Sequence, residues 1–189
     1  MVAAQIGDAD LIQAAGVAEE LARLLSERAG PGTRARPQPD LGGEPQQLFP
    51  TSPVIGFANP LAPPVSIWFE DKELRGEVSF GRAHEGPPMC VHGGVIAEVF
   101  DEILGAANIA SGNPGMTAML TVRYRHPTPI ERKLELVARC KGREGRKIHA
   151  WGAIYDGEKM TAEATGLFVE VRSDKMLGLM GVNDQAVES

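Results

Sequence analysis

Hydrophobic and polar residues alternate in short runs along the second half of the chain, and each run is closed by a turn signal. Alternation with a period of two places every other side chain on one face of a strand. The runs predict strands over 65–70, 73–80, 116–125, 133–143, 147–155 and 160–172. One of the intervening turns is Asp156-Gly157, a strong hairpin signal. The pattern therefore predicts an antiparallel sheet of about six strands.

Two other segments repeat their apolar residues every three or four positions, as amphipathic helices do. The first covers 8–28 and precedes Gly30-Pro31, a pair that stops a helix. The second covers 93–110 and is apolar over most of its circumference, which is typical of a buried helix. An antiparallel sheet of about six strands wrapped around one central buried helix is a hotdog fold, an α+β architecture. The small residues Ala162, Ala164 and Gly166 in the last strand would let such a helix lie close to it.

The order of these elements gives the expected domain organisation. We expect an N-terminal amphipathic helix in 1–28, a Pro-rich linker or covering loop in 29–64, the hotdog domain in 65–173 and a C-terminal tail in 174–189. The 189 residues suffice for one compact domain, and 43% of them are hydrophobic.

Composition excludes several classes of protein. The formal net charge of −6 argues against nucleic-acid binding, which needs a basic face. The two cysteines are too few for a disulfide framework or a zinc site. No apolar run is long enough to cross a bilayer. We therefore expect a cytoplasmic protein without metal or cofactor.

The buried helix carries four polar exceptions on one stripe, Glu98, Asp101, Glu102 and Asn108. Charged stripes usually face water, and that explanation stays open here. However, no Lys or Arg occurs between Ala83 and Val122, so the carboxylates lack the partners of a surface helix. Partly buried carboxylates without cations have raised pKa values and often mark functional sites.

The residues before this helix form a Gly- and Pro-rich loop that ends in His92-Gly93-Gly94. A helix N-terminus presents unpaired N–H groups, and glycines let a substrate approach the backbone, as in an oxyanion hole. Gly93-Gly94 is equally compatible with a tight turn, and His92 with a purely structural role.

A resemblance joins these features. The run from His92-Gly93-Gly94 through Asp101 to Gly105 resembles the signature of phenylacetate-pathway-type hotdog acyl-CoA thioesterases, most of all the carboxyl-terminal modulator protein subgroup. The strand around Thr117, with Tyr124 and two prolines after it, is similar to the same subgroup, and the resemblance covers 57–171.

This resemblance implies that the protein hydrolyses acyl-CoA, and it implies catalytic roles for five residues. Asp101 would act as nucleophile or general base, Thr117 as its partner, and the backbone of Gly93 and Gly94 would polarise the thioester carbonyl, with His92 beside it. From Gly94 to Asp101 is about 10 Å along one helix, too far for both to act on one carbon. We therefore expect each site to combine two subunits of a homodimer, which the sequence leaves free to pair into a tetramer.

The phosphates of CoA would need local cations, which concentrate at the ends of the middle strands. The candidates are Arg123, Arg125, His126, Lys141, Arg143, Arg146 and Lys147. We single out Arg125 and Arg146, and we expect Asn59 to line the substrate channel. Charges at edge strands and turns also serve to prevent aggregation, and a plain loop would equally explain Asn59.

Other activities have less support from the sequence. There is no G-x-S-x-G nucleophile elbow, and His84, His92, His126 and His149 lack the spacing of a metal hydrolase. A hotdog hydratase or dehydratase would pair a catalytic histidine with a carboxylate. A non-catalytic acyl-CoA-binding or regulatory protein would keep the cleft and lose the attacking group. Because both Asp101 and Thr117 are present, catalysis is favoured.

Overall fold

The computed structural model describes residues 7–28, 52–56, 59, 61–71 and 73–170. The chain divides into two compact units, 1–37 and 38–189. In the first, helix α1 (Asp8–Arg28) lies where the apolar periodicity predicts it. The tail predicted at 174–189, and the parts of the predicted Pro-rich segment at 29–51, 57, 58 and 60, lie outside the described residues.

The second unit contains a six-stranded antiparallel sheet in the order β1-β2-β4-β5-β6-β3. Its strands are β1 (Val65–Glu70), β2 (Glu73–Ser79), β3 (Met116–Tyr124), β4 (Lys133–Glu144), β5 (Lys147–Asp156) and β6 (Lys159–Val169). Most strand boundaries agree closely with the predicted ones. The exception is β6, which ends at Val169 although the alternating pattern continues to 172.

Helix α2 (Gly93–Ala110) packs across strands β2 to β6. Phe100, Ile103 and Leu104 of the helix are fully buried against the sheet. A Cβ built on Gly166 would lie 2.5 Å from Cε2 of Phe168 and 3.1 Å from Cδ1 of Leu104. Only a residue without a side chain fits there, which confirms that small residues on β6 allow the helix to approach. The predicted hotdog fold is confirmed.

The helix is buried on the side that faces the sheet, whereas Glu98 and Asp101 on the opposite side are exposed. The expectation of a helix buried over most of its circumference is therefore too broad, because one sheet covers only one side. Asn108 is fully buried, so the four polar residues of the predicted stripe do not share one environment. Neither of the described helices is long and apolar enough to cross a membrane.

Candidate active site

Asp101 receives a hydrogen bond from a threonine on the neighbouring sheet edge. The Thr117 hydroxyl donates to Asp101 Oδ1 over 2.7 Å. These two residues are the pair that the sequence predicts, and they come from the same chain. Since one carboxylate oxygen is held by Thr117, the other, Oδ2, is left to act on a substrate or a water molecule.

A β-bulge in β3 turns Thr117 towards the helix. Thr117 pairs with Phe168 and Leu120 pairs with Gly166, with a register shift between Thr117 and Met119. Phe168 and Gly166 lie two residues apart and therefore on one face of β6. Thr117 and Leu120 consequently share a face although they are three residues apart, which simple alternation would forbid. Bulges often re-aim a side chain beside an active site in this way.

Glu102, next to Asp101, is half-buried and bonded to the Pro-rich segment. The Ser52 hydroxyl donates to Glu102 Oε2 over 3.0 Å, and it accepts the backbone N–H groups of Val54 and Ile55 at 3.1 and 3.2 Å. Burial raises the pKa of Glu102 above its ordinary value of 4.5, the Ser52 hydrogen bond opposes this, and the Asp101 carboxylate adds to it. A carboxylate with a raised pKa is thus present on the helix, at Glu102.

A cavity of about 350 Å³ opens beside these carboxylates. Asp101, Glu102 and Thr117 line it at one side, and small or apolar residues, among them Gly105 and Phe168, line the rest. A cavity of this size with few polar groups is suited to a small, mostly apolar ligand group. The polar groups would lie at the reacting end of such a ligand.

The N-terminus of α2 is capped by His92, whose role the sequence leaves undecided. The Gly94 N–H donates to His92 Nδ1 over 3.0 Å. Nδ1 is therefore an acceptor, and the ring proton of the neutral imidazole is on Nε2. Within the described residues the Gly93 N–H donates to no acceptor. Of the two predicted carbonyl-polarising amides, Gly93 is thus the one available, while Gly94 is occupied by the cap.

The loop before His92 is held by backbone hydrogen bonds. The N–H of Val91 donates to Thr128 and that of His92 to His84, both over 2.8 Å. A Cβ on Gly86 would lie 2.8 Å from Cα of His92, so the loop can pass this close only with glycine. These contacts fix the position from which α2 begins.

Tyr124, at the far end of β3, also contacts the helix N-terminus. Its hydroxyl donates to the Gly93 carbonyl over 2.8 Å. Strand β3 therefore bonds to the helix at two places, through Thr117 to Asp101 and through Tyr124 to Gly93. Tyr124 belongs to the strand that resembles the thioesterase subgroup, but that resemblance assigns it no role.

Asn59 lies apart from this site. Its side-chain amide donates to the Ser52 carbonyl, and its Oδ1 accepts the Leu61 N–H, as in an Asx-turn. It lines a cavity of about 240 Å³ together with Ile55 and residues of the 62–65 segment. Neither Asp101 nor Gly93 lines that cavity, so a role of Asn59 in substrate binding stays a prediction.

Both cations singled out for CoA binding already have partners. Arg125 forms an ion pair with Glu163 and holds the pKa of that carboxyl below its usual range. Arg146 donates to the Glu170 carbonyl over 3.1 Å. Exposed ion pairs contribute little stability and can exchange, so these contacts leave the prediction open. Arg123, Lys141 and Lys147, by contrast, form no ion pair within the described ranges.

Comparison with known proteins assigns this arrangement to a family. A crystal structure described as a thioesterase superfamily protein has a TM-score of 0.76 to this chain and 34% sequence identity, and the match covers 88% of this chain and 81% of that one. The thioesterase superfamily profile matches residues 90–163. The chain belongs to the thioesterase superfamily. The profile begins just before His92 and includes Asp101, Thr117 and Tyr124.

Curated relatives include the acyl-coenzyme A thioesterase THEM4 of Xenopus laevis, which is 36% identical to this chain over 89 residues. That match covers 46% of this chain and 40% of the Xenopus protein. The THEM4 of Bos taurus is 29% identical over 124 residues, 64% of this chain and 51% of that protein. The chain thus spans about half the length, or less, of these relatives. The E. coli PaaI protein, at 15% identity and a TM-score of 0.52 over 56% of this chain and 82% of that one, shares the fold.

Proposed function

We propose that this chain hydrolyses acyl-CoA thioesters to a free acid and CoA. The observation that supports this most is the Thr117–Asp101 hydrogen bond beside a mostly apolar cavity, in a chain of the thioesterase superfamily. Its curated relatives are named acyl-coenzyme A thioesterases. The cavity is suited to an acyl chain whose thioester carbon lies next to Asp101.

In this reaction Asp101 acts as general base or as nucleophile. As a base, Oδ2 takes a proton from a water molecule, the water oxygen adds to the thioester carbon, and the C–S bond breaks to release the CoA thiolate. As a nucleophile, Oδ2 itself adds to that carbon, and the C–S bond breaks to release the CoA thiolate and leave an anhydride with Asp101; water then hydrolyses this anhydride to the free acid and restores the Asp101 carboxylate. In both routes the Thr117 hydroxyl holds Oδ1 and so fixes the direction in which Oδ2 points.

Negative charge develops on the thioester oxygen in either route, and the N-terminus of α2 is suited to stabilise it. The Gly93 N–H lies at the positive end of the helix dipole and donates to no group in the described part of the chain. Gly93 and Asp101 lie on one helix, and eight residues correspond to about 12 Å along its axis. Both groups must contact the same thioester, so we propose that Gly93 of one subunit acts with Asp101 of a second copy.

The edge strand β3 supports this homodimer. Met116 and Met119 on β3 are more than half exposed, and among the described strands only β6 pairs with β3. Exposed, apolar edge strands are typical places for pairing with another chain. The exposed cations Arg123, Lys141 and Lys147 would then be available to the phosphates of CoA, along with Arg125 and Arg146 once their partners exchange. A role in cytoplasmic fatty acid metabolism remains our expectation.

The proposal is tested with two variants that each remove one half of the site. Asp101→Asn removes the base or nucleophile. Gly93→Pro removes the N–H and keeps the backbone conformation, because Gly93 is the first helical residue, where proline is favoured, and His92 before it has the extended backbone that proline requires (φ −62°, ψ 136°). Thiol release from a panel of acyl-CoA esters should fall by at least 100-fold in each variant.

A matched control keeps the groups that matter. Glu98→Gln changes an exposed carboxylate one turn before Asp101 and should retain most activity. Folded wild type that hydrolyses no acyl-CoA of any chain length would refute the thioesterase proposal, and an active Asp101→Asn variant would move the role to another carboxylate.

Mixing the two inactive variants tests the shared site. Unfolding and refolding an equal mixture gives random dimers, half of which contain one subunit of each kind. In such a dimer one site combines the intact Asp101 of one subunit with the intact Gly93 of the other. We therefore expect the mixture to recover about a quarter of wild-type activity. No recovery in verified mixed dimers would place the site within one subunit.

A further inference from the structure

The peptide group between Gly93 and Gly94 is held at both of its polar atoms by side chains. The Tyr124 hydroxyl donates to the Gly93 carbonyl over 2.8 Å, and the N–H of the same peptide group, which belongs to Gly94, donates to His92 Nδ1 over 3.0 Å. The three groups thus form one continuous chain of hydrogen bonds that runs through a single peptide plane. Such chains polarise their members and strengthen one another.

Two successive glycines need this support. Glycine restricts its backbone less than any other residue, so a Gly-Gly step has no preferred direction of its own. In the proposed reaction, however, the adjacent Gly93 N–H must point at the thioester oxygen before the reaction begins. A donor that is held in place stabilises the developing charge without the cost of reorganisation.

We infer that Tyr124 is a positioning residue of the thioesterase site: by holding the Gly93 carbonyl, it keeps Gly93 in place at the helix N-terminus and so helps to hold the Gly93 N–H, which belongs to the preceding peptide group, in its position. This inference rests on the proposed function. Tyr124 does not touch the substrate in this role and acts through the backbone of Gly93. His92 holds the other side of the same peptide group.

The place of Tyr124 in β3 supports this role. Tyr124 lies four residues after Leu120 on a regularly paired stretch of the strand, so both face the helix. The bulge places Thr117 on this face as well. One strand therefore positions both halves of the machinery, the Asp101 carboxylate through Thr117 and the helix N-terminus through Tyr124.

Tyr124→Phe tests the inference because it removes the hydroxyl and keeps the ring. Tyr124 is 54% exposed, so we expect an unfolding temperature close to that of the wild type. We expect kcat for acyl-CoA hydrolysis to fall about tenfold, with KM changed less than about twofold, since misplacement of a donor weakens transition-state binding selectively. Tyr155→Phe is the matched control, because Tyr155 pairs with the exposed Glu135 and so lies on the face of the sheet opposite the core side chains Leu136 and Ile154.

A second variant separates positioning from a general structural effect. His92→Ala removes the acceptor on the other side of the same peptide group and should also lower kcat. If both side chains hold one peptide plane, the kcat losses of Tyr124→Phe and His92→Ala will not multiply in the double variant. Multiplying losses would overturn the shared role.

The possible results distinguish this inference from the proposed function. Wild-type kcat in Tyr124→Phe, beside an active wild type and an inactive Asp101→Asn, would overturn the inference alone. A raised KM with unchanged kcat would also overturn it, because it would show a binding role. A wild-type protein that releases no thiol from any acyl-CoA would overturn both.

Discussion

The hydrogen bonds of Ser52 should contribute measurably to the stability of the fold. Ser52→Ala removes the donor to Glu102 and the acceptor of two backbone N–H groups, all in a buried position. A hydrogen bond to a charged group contributes about 1.5–3 kcal/mol and a neutral one about 1 kcal/mol, with partial compensation by water. We therefore expect the free energy of unfolding to fall by about 2–4 kcal/mol.

This loss should depend on pH because it involves Glu102. Its folded pKa is raised above 4.5, so the folded state binds the Glu102 proton more tightly than the unfolded state does. The corresponding stability is present below the unfolded pKa and is lost as pH rises through the folded pKa. Ser52→Ala removes the hydrogen bond that lowers this pKa, so the loss should be smaller at pH 4, where Glu102 is mostly protonated, than at pH 8.

Urea unfolding at these two pH values measures the effect. Ser66→Ala is the matched control, since Ser66 is exposed on β1 and its hydroxyl makes no hydrogen bond with the described residues. It should change the free energy of unfolding by less than about 0.5 kcal/mol. The reasoning would be refuted by a Ser52→Ala loss that is as small as that of the control, or by one that is the same at both pH values.

Two further predictions concern packing around α2. Gly166→Ala should lower the free energy of unfolding by about 1–3 kcal/mol, because the new Cβ would collide with Phe168 and Leu104. Gly81→Ala is the control and should have little effect, because a Cβ on Gly81 would lie in open space. Equal losses in the two variants would contradict this packing. Asn108→Leu should raise the free energy of unfolding by about 1–2 kcal/mol, because the fully buried Asn108 amide has no hydrogen-bond partner in the described structure. A lower free energy in urea unfolding would contradict this prediction and indicate that the amide has a partner.

The strands and both helices follow from the sequence because their signals are local. A strand or an amphipathic helix repeats its apolar positions within a few residues, and turns such as Asp156-Gly157 mark the ends. β6 differs in part. Its described pairing ends with Val169 opposite Met116 and Lys147, the Glu170 N–H still donates to the Arg146 carbonyl, and residues 171 and 172 of the predicted strand lie outside the described residues.

The residues of the candidate site could be predicted where they belong to one local motif. They could not be predicted where segments that are distant in the sequence come together. Asp101 and Thr117 could be named from the sequence, but the bulge that brings them together depends on pairing with β6. Ser52 lies 50 residues before Glu102, and its segment reads only as Pro-rich loop. A serine before a proline and two apolar residues, Val54 and Ile55, is a weak signal for a buried turn.

The proposed dimer would resolve two features of the single chain at once. Asp101 is exposed on the open side of α2, although both routes proposed for thioester hydrolysis gain from a site that admits the reacting water molecule and excludes bulk solvent. β3 is a sheet edge with apolar side chains in solvent, although such edges invite aggregation. Thr117 links the two features, because it belongs to β3 and bonds to Asp101. A second copy paired along β3 would cover the exposed edge, and its Gly93 N–H would supply a donor to the oxygen of a thioester bound next to Asp101. A variant that blocks pairing of β3 should therefore lose activity together with dimerisation.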